Sequence, residues 1–293
     1  MYDCLIIGGG PAGVTAALYT ARAGFKTLVL YKDHGALEKA ESVDNFYGTL
    51  AVPGKRLINR GLRQAKLAGV EVIKREVVSL SVDENLVISV DAVRAKYMAR
   101  AVLVATGAGR LAPNIPGLKE LEGRGISYCA VCDGFFHKGK DVAVIGIGAY
   151  ALHEVQDLIG IAASVTVLTN GAEAKVKFPK GVRVVTEKIT EVTSKDGLLG
   201  KSLKGVTLGN GEELELSGLF IALNVAGGTD LARKLGAPIE GNFIKTGENG
   251  RTNIPNLWAA GDCTGGIKQI AKAACDGMHA GMDIIKYLRG ESK

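Results

Sequence analysis

Two cysteines separated by two residues, Cys129 and Cys132, form the part of the chain whose spacing best suits chemistry, and Asp133 follows them directly. This spacing serves zinc sites, structural disulfides and redox-active pairs alike. A zinc site normally needs about four ligands. No second pair and no histidines at ligand spacing accompany these residues; the others are Cys4, Cys263, Cys275, His34, His137, His153 and His279. We interpret the pair as redox-active, with a structural bridge and a metal site as alternatives, and we expect no metal.

A glycine turn near the start of the chain could bind a dinucleotide. Gly8, Gly10 and Gly13 lie between an apolar strand at 2–7 and a helix of small residues at 14–23. In such a turn the first glycine permits a sharp bend, the second lets the backbone approach a pyrophosphate, and the third allows the helix to pack closely on the strand. The turn alone is weak evidence, but its position between strand and helix predicts dinucleotide binding. Together with the cysteine pair it indicates a flavin that exchanges electrons with a dithiol.

A second turn of the same kind follows the cysteines. A strand at 141–145 leads into Gly146, Gly148 and Ala151, and then come a helix and a strand at 164–168. Alternating strands and helices of this kind predict parallel sheets. The expected fold class is therefore α/β, with two Rossmann-like dinucleotide-binding domains. We expect residues 113–244 to form a domain inserted into the first, which comprises 1–112 and 245–293.

Composition narrows the function classes. Of 293 residues, 47% are hydrophobic and 23% are charged, and no apolar run approaches the ~20 residues that a membrane helix needs. The first residues enter a strand without a basic, cleavable leader, and five cysteines are an odd number. We therefore expect a cytoplasmic protein in which one cysteine pair cycles.

Charge is concentrated in the first domain. Residues 1–112 and 245–293 contain 22 Lys and Arg against 15 Asp and Glu, whereas residues 113–244 contain 14 against 15. Arg56, Arg60 and Arg63 recur at helical spacing and would share one helix face. This face is either simply solvated or a docking surface for an acidic protein. Nucleic acid is not expected as a partner, because no aromatic residues or binding motifs accompany the charge.

Four motifs, in this order and spacing, resemble the low-molecular-weight thioredoxin reductase family over essentially the whole chain. They are Gly8-Gly9-Gly10-Pro11-Ala12-Gly13, Ala105-Thr106-Gly107, Cys129-Ala130-Val131-Cys132-Asp133-Gly134, and Ala260-Gly261-Asp262 with Gln269 downstream.

The resemblance implies the fold of a glutathione-reductase-like flavoprotein, a cofactor, a substrate and roles for individual residues. The cofactor would be FAD and the partner thioredoxin, in a homodimer. Cys132 would face the flavin, Cys129 would attack the thioredoxin disulfide, and Asp133 would move protons, although an aspartate there could instead cap a turn. The residues implied to bind FAD are Gly8, Gly10, Pro11, Ala12, Gly13, Asn45, Thr106, Gly107, Gly261, Asp262, Lys268, Gln269 and Ile270. For Asp262, a helix N-cap is the compatible alternative.

The inserted domain departs from the family where NADPH would bind. No arginine follows the strand that ends at Leu168, so nothing obvious pairs with a 2′-phosphate. Tyr150 stands where a small polar residue is usual, and the segments 224–229 and 34–37 are also altered. We therefore expect a donor other than NADPH, as in the ferredoxin-dependent members, with reduced ferredoxin as our choice. The alternatives are a deazaflavin or NAD(P)H as donor, a dithiol oxidase that uses oxygen, or a flavin-bearing redox sensor.

Overall fold

The structure is a computed structural model that describes residues 1–108, 113–196, 200–223 and 227–291. Within these residues the strands are β1 (Tyr2–Ile7), β2 (Thr27–Tyr31), β3 (Glu71–Lys74), β4 (Val77–Val82), β5 (Ile88–Ala92), β6 (Ala95–Val104), β7 (Ile126–Ser127), β8 (Asp141–Ile145), β9 (Ser164–Leu168), β10 (Arg183–Val185), β11 (Ile189–Lys195), β12 (Ser202–Leu208), β13 (Glu213–Glu215), β14 (Gly218–Ile221), β15 (Ile239–Glu240), β16 (Phe243–Ile244) and β17 (Leu257–Ala259). The α-helices are α1 (Pro11–Arg22), α2 (Gly54–Leu67), α3 (Ala130–Asp133), α4 (Ala149–Leu158), α5 (Gly228–Lys234) and α6 (Ile270–Leu288).

The chain divides into two compact units, one of Met1–Arg110 and Gly227–Lys293 and the other of Leu111–Ala226. Our expectation that the inserted domain extends to residue 244 is therefore wrong for its second boundary. The physical reason lies at Gly228, the first residue of α5. A Cβ there would lie 2.5 Å from Thr106 Oγ1 and 3.0 Å from a methyl carbon of Val104, so this segment packs against the end of β6 in the first unit.

The sheet of the first unit has the strand order β3-β2-β1-β6-β5-β4, with β17 also paired to β6. β3, β2, β1, β6 and β17 pair in parallel, whereas β4, β5 and β6 form an antiparallel meander. The residues of β1 from Cys4 to Ile7 are buried, as expected for a parallel strand covered on both faces. The carboxyl ends of β1, β6 and β17 therefore meet at one edge of the sheet, where the glycine turn begins.

The helices of this unit pack through small residues and an amphipathic face. Gly277 of α6 lies so close to α1 that a Cβ would stand 2.1 Å from Ala12 O, so only glycine fits at this crossing. Helix α2 buries Ile58 and Leu62 and exposes its charged side chains, which is the amphipathic pattern predicted from the sequence. The close approach of Gly277 to Ala12 fixes how α6 crosses α1, the helix that follows the glycine turn.

The second unit contains a parallel sheet of order β10-β9-β8-β14-β7 and an antiparallel sheet of order β11-β12-β13. Apolar side chains from both sheets share one core that includes Ile145, Leu219 and Val206. The α/β fold class with two dinucleotide-binding units is thus confirmed. No helix in the described part of the chain combines the length and apolar character that a membrane crossing requires.

Candidate active site

The first glycine turn has the geometry of a pyrophosphate cradle. Gly8 has φ +123°, and a Cβ there would lie 2.1 Å from Ala105 O, so a side chain is excluded on both grounds. Gly10 is extended and faces open space, with no heavy atom of the described residues within 4 Å of its ideal Cβ position. It is also the N-cap of α1, which begins with Pro11, and it has no side chain to cap the helix. The first amides of α1 are therefore available to an anion, as the helix dipole favours.

Residues from three other segments lie at the same sheet edge. Thr106 Oγ1 is buried and has no hydrogen-bond partner among the described residues, which is costly unless a ligand supplies one. Asp262 is partly exposed and begins a 3₁₀ turn at Asp262–Thr264, directly after Gly261. Asn45 Nδ2 donates to Gln269 Oε1 at 3.3 Å, which joins two predicted flavin residues that are far apart in sequence. An open phosphate cradle and the unpaired, buried hydroxyl of Thr106 fit a dinucleotide.

The other predicted flavin residues lie on the same segments. Gly107 follows Thr106 with φ +79°, and Gly261 precedes Asp262 with φ +83°. Lys268 is exposed and precedes Gln269, which is the N-cap of α6, and Ile270 is the first residue of that helix. The compatible alternative for Asp262, a helix N-cap, is wrong: Gly261 is the N-cap of the 3₁₀ turn and Gln269 is the N-cap of α6, whereas Asp262 is the first residue inside the turn.

The cysteine pair is a disulfide in the second unit, which excludes a metal site at these two residues in this state. Cys129 is fully buried, whereas Cys132 is exposed. Cys129 is also the N-cap of the short helix α3, and its Sγ accepts a hydrogen bond from Cys132 N at 3.2 Å. An N–H group that points at sulfur stabilises the thiolate over the thiol, so this arrangement activates Cys129 once the bond is reduced.

Asp133 is held by a residue that the sequence reasoning missed. The hydroxyl of Ser127, at the end of β7, donates to Asp133 Oδ2 at 2.6 Å and accepts from Cys129 N at 3.1 Å. Ser127 is buried and lies two residues before Cys129, so a single hydroxyl links the carboxylate to the backbone of the buried cysteine. The proximity of a serine in sequence was the only available signal, because the contact depends on the turn into α3.

Two side chains of helix α4 form hydrogen bonds with the backbone of the segment 128–132, which we refer to as the redox loop. Tyr150 is fully buried, and its hydroxyl donates to the carbonyl of Tyr128 at 3.1 Å. One turn later, Glu154 is buried and accepts from Ala130 N at 2.7 Å. The Tyr150 side chain therefore points at the redox loop. The same helix carries the one group within the described residues whose ligand atoms lie close enough to hold a metal ion, all within 4.8 Å of one another: His153, Glu154 and Asp157.

The second glycine turn is intact, but the segment after β9 is occupied by internal contacts. Asn170 Oδ1 accepts from Ile189 N at 2.8 Å, and Lys175 N donates to Ile147 O of the turn at 2.8 Å. The nearest arginine that follows, Arg183, pairs with Glu212 at 2.7 Å. The altered residues 224–226 lie outside the described part of the chain.

Two of the three remaining cysteines are buried and unreactive. Burial raises the pKa of the Cys4 thiol to about 12, and burial likewise raises the pKa of Cys263 to about 12. Thiols in that state form little thiolate at neutral pH and are unreactive. Cys275 is exposed on α6.

The predicted arginines share one surface. Arg56, Arg60 and Arg63 are exposed on α2 and line an open groove of about 450 Å³ together with Pro53, Lys55 and Asn59. Lys55 also pairs with Glu38 at 3.0 Å. We refer to this as the arginine groove.

These features define a class: a two-unit dinucleotide-binding flavoprotein with a redox-active disulfide. The chain belongs to the pyridine nucleotide-disulphide oxidoreductase family, whose model matches residues 2–277. It is an oxidoreductase, and its cofactor is FAD.

Its relatives confirm the resemblance to low-molecular-weight thioredoxin reductases. The thioredoxin reductase of Aquifex aeolicus is 34% identical over 312 residues, covering 100% of this chain and 95% of the relative. Among solved structures, the atypical thioredoxin reductase TRi from Desulfovibrio vulgaris Hildenborough superimposes with TM-score 0.91 at 35% identity, covering 99% of both chains. A ferredoxin-flavin thioredoxin reductase from Clostridium acetobutylicum gives TM-score 0.72 at 27% identity, covering 99% of this chain and 98% of the other.

Proposed function

We propose that this protein is a thioredoxin reductase that receives electrons from reduced ferredoxin, and not from NADPH, and delivers them through FAD and the Cys129–Cys132 pair to thioredoxin. The observation that carries the proposal is the redox disulfide itself, with one sulfur exposed and the other buried beside an activating amide. Bound FAD supplies a two-electron store that can be filled one electron at a time, which suits a one-electron donor.

The chain's own residues account for the exchange chemistry. Two electrons and two protons convert the Cys129–Cys132 disulfide into two thiols. The Cys129 thiolate attacks the partner disulfide and forms a mixed disulfide, and Cys132 then attacks Cys129 sulfur, which restores the intramolecular bond and releases the partner dithiol. Asp133 exchanges the protons that these thiols gain and lose. Because Cys129 is buried in this structure, its attack on the partner disulfide requires a conformation in which it is exposed.

Apolar side chains beside the cysteines support a protein substrate. Val131, Phe135 and Phe136 are each more than half exposed, although they follow the buried Cys129 within a few residues. Exposed aromatic residues clustered near a reactive group are typical of protein interaction sites. A small thiol would need no such surface, so thioredoxin is favoured over a small dithiol.

The donor proposal rests on charge and on the second glycine turn. Asn170 and Lys175 are used in internal contacts, and no arginine of that region is left for a 2′-phosphate among the described residues. The arginine groove supplies a one-sign surface, and such surfaces attract acidic partners such as ferredoxins. The similarity to a ferredoxin-flavin thioredoxin reductase supports the same donor. We also expect the protein to be cytoplasmic and to form a homodimer. Light scattering of the purified protein would test the homodimer.

An anaerobic assay tests the donor and the acceptor together. Protein is mixed with photoreduced ferredoxin and oxidised thioredoxin, and thioredoxin thiols are counted, with a Cys129→Ser variant as the control. We expect thiols to form with ferredoxin and not with NADPH. Absence of thiols above the ferredoxin-only level contradicts the function, whereas rapid bleaching of the flavin by micromolar NADPH contradicts only the donor.

Charge reversal tests the arginine groove. Arg60→Glu should raise the KM for ferredoxin several-fold and flatten its dependence on salt, because one-sign surfaces act mainly on association. Arg289→Glu, at the exposed end of α6, is the matched control and should behave as the unaltered protein. Equal effects of the two substitutions would rule out a specific role for the groove.

A further inference from the structure

Two charged residues of α6 hold the loop that carries Asp262. Lys272 Nζ donates to Gly265 O at 2.7 Å, to Gly261 O at 3.2 Å and to Thr264 Oγ1 at 3.3 Å. The lysine thus spans the loop from its first residue to its last. None of the sequence motifs pointed to Lys272.

The partner of Lys272 holds the same loop from the other side. Asp276, one helical turn further on, pairs with Lys272 Nζ at 2.7 Å through its Oδ2, and the same oxygen accepts from Gly261 N at 3.1 Å. The N–H and the C=O of Gly261 are therefore bound by two oppositely charged side chains of one helix. Both side chains are about one quarter exposed, at 27% and 28%, so water competes only partly for these bonds.

The loop needs such restraint. Gly261, Gly265 and Gly266 all have φ between +78° and +84°, and glycines lose more conformational entropy on ordering than any other residue. Asp262 follows Gly261 directly as the first residue of the 3₁₀ turn, so the direction of its side chain depends on the backbone of this loop. A loop left free would have to be ordered by the ligand at the expense of affinity.

We propose that Lys272 and Asp276 form a positioning pair that pre-organises the Gly261–Gly265 loop for FAD. The pair acts through the backbone of Gly261 and the direction of Asp262. The proposal rests on the assignment of this loop to the flavin site.

The test is the rate at which FAD leaves the holoenzyme on dilution, followed by the rise in flavin fluorescence, together with FAD titration of the apoprotein. Lys272→Met and Asp276→Asn should each weaken FAD binding by about tenfold or more, because each removes charged hydrogen bonds that order the loop. The double variant should be little weaker than either single one, because the two residues act as a unit. Lys272→Arg, which keeps the charge, should recover most of the affinity.

Lys286→Met, an exposed lysine on the last turn of the same helix, is the matched control. Wild-type FAD affinity in Asp276→Asn and Lys272→Met would overturn the proposal. So would a fall in apoprotein melting temperature with unchanged FAD release, because that result marks a purely structural pair. Failure of the unaltered protein to bind FAD would instead refute the site assignment.

Discussion

Removing the Ser127 hydroxyl should uncouple Asp133 from the buried cysteine. In Ser127→Ala the carboxylate loses a 2.6 Å hydrogen bond, and Cys129 N, in a buried backbone, loses its acceptor. A hydrogen bond to a charged group contributes about 1.5–3 kcal/mol, and an unsatisfied buried amide costs about 1–3 kcal/mol. Loss of these two hydrogen bonds should therefore destabilise the native arrangement of this loop by a free energy on the order of 3 kcal/mol.

The effect on the reaction follows from the position of Asp133, the proposed acid–base group that Ser127 holds. General acid–base catalysis by a positioned group contributes about 10²–10⁴-fold, and a misplacement of about 1 Å can cost about a hundredfold. We expect oxidation of the reduced cysteine pair by thioredoxin to slow by about ten- to a hundredfold, measured by stopped-flow in a single turnover. Reduction of the flavin by its donor should not change, because Ser127 lies in the other unit.

Two variants separate positioning from general destabilisation. Ser127→Thr retains a hydroxyl and should recover most of the rate. Ser164→Ala removes an equally short serine–aspartate bond, 2.5 Å to Asp141, from an exposed surface of the same unit and should leave the rate unchanged. If Ser127→Ala exchanges with thioredoxin at the rate of the unaltered protein, the role assigned to Ser127 is refuted.

Three further predictions follow from the glycine turn and the free cysteines. Gly8→Ala should fail to fold stably because its Cβ would overlap Ala105 O, whereas Gly10→Ala should melt as the unaltered apoprotein does and yet bind FAD weakly; equal melting of the two would contradict this difference. Burial raises the pKa of Cys4 from 9.0 to about 12, so stability should be full below pH 9 and fall by a few kcal/mol as the pH rises towards 12. Urea unfolding of Cys4→Ala across that range should show a shallower decline, and an identical decline would argue against the shift. In the oxidised protein, iodoacetamide should label Cys275 and no other cysteine by mass spectrometry, and labelling of Cys4 under native conditions would contradict its burial.

The sequence predicted the elements whose pattern is local. β1, β8 and β9 have the expected bounds, because a run of apolar residues that ends in a turn can be recognised without reference to the rest of the chain. It also predicted that the segments around Asn45 and Gln269 belong to one site, through resemblance to a family. What it misjudged was the second boundary between the units, since only the close approach of Gly228 to β6 shows where the chain returns.

By itself the sequence determined which groups are available for chemistry: two cysteines at redox spacing, a glycine turn between a strand and a helix, and a basic face on one helix all follow from residue type and spacing. Only the tertiary structure decided which side chains serve that chemistry. Ser127 on Asp133, Glu154 beneath the redox loop, and Lys272 with Asp276 on the flavin loop are contacts that no motif encodes. The physical reason is that hydrogen-bond partners are chosen by the close packing of distant segments and not by periodicity along the chain.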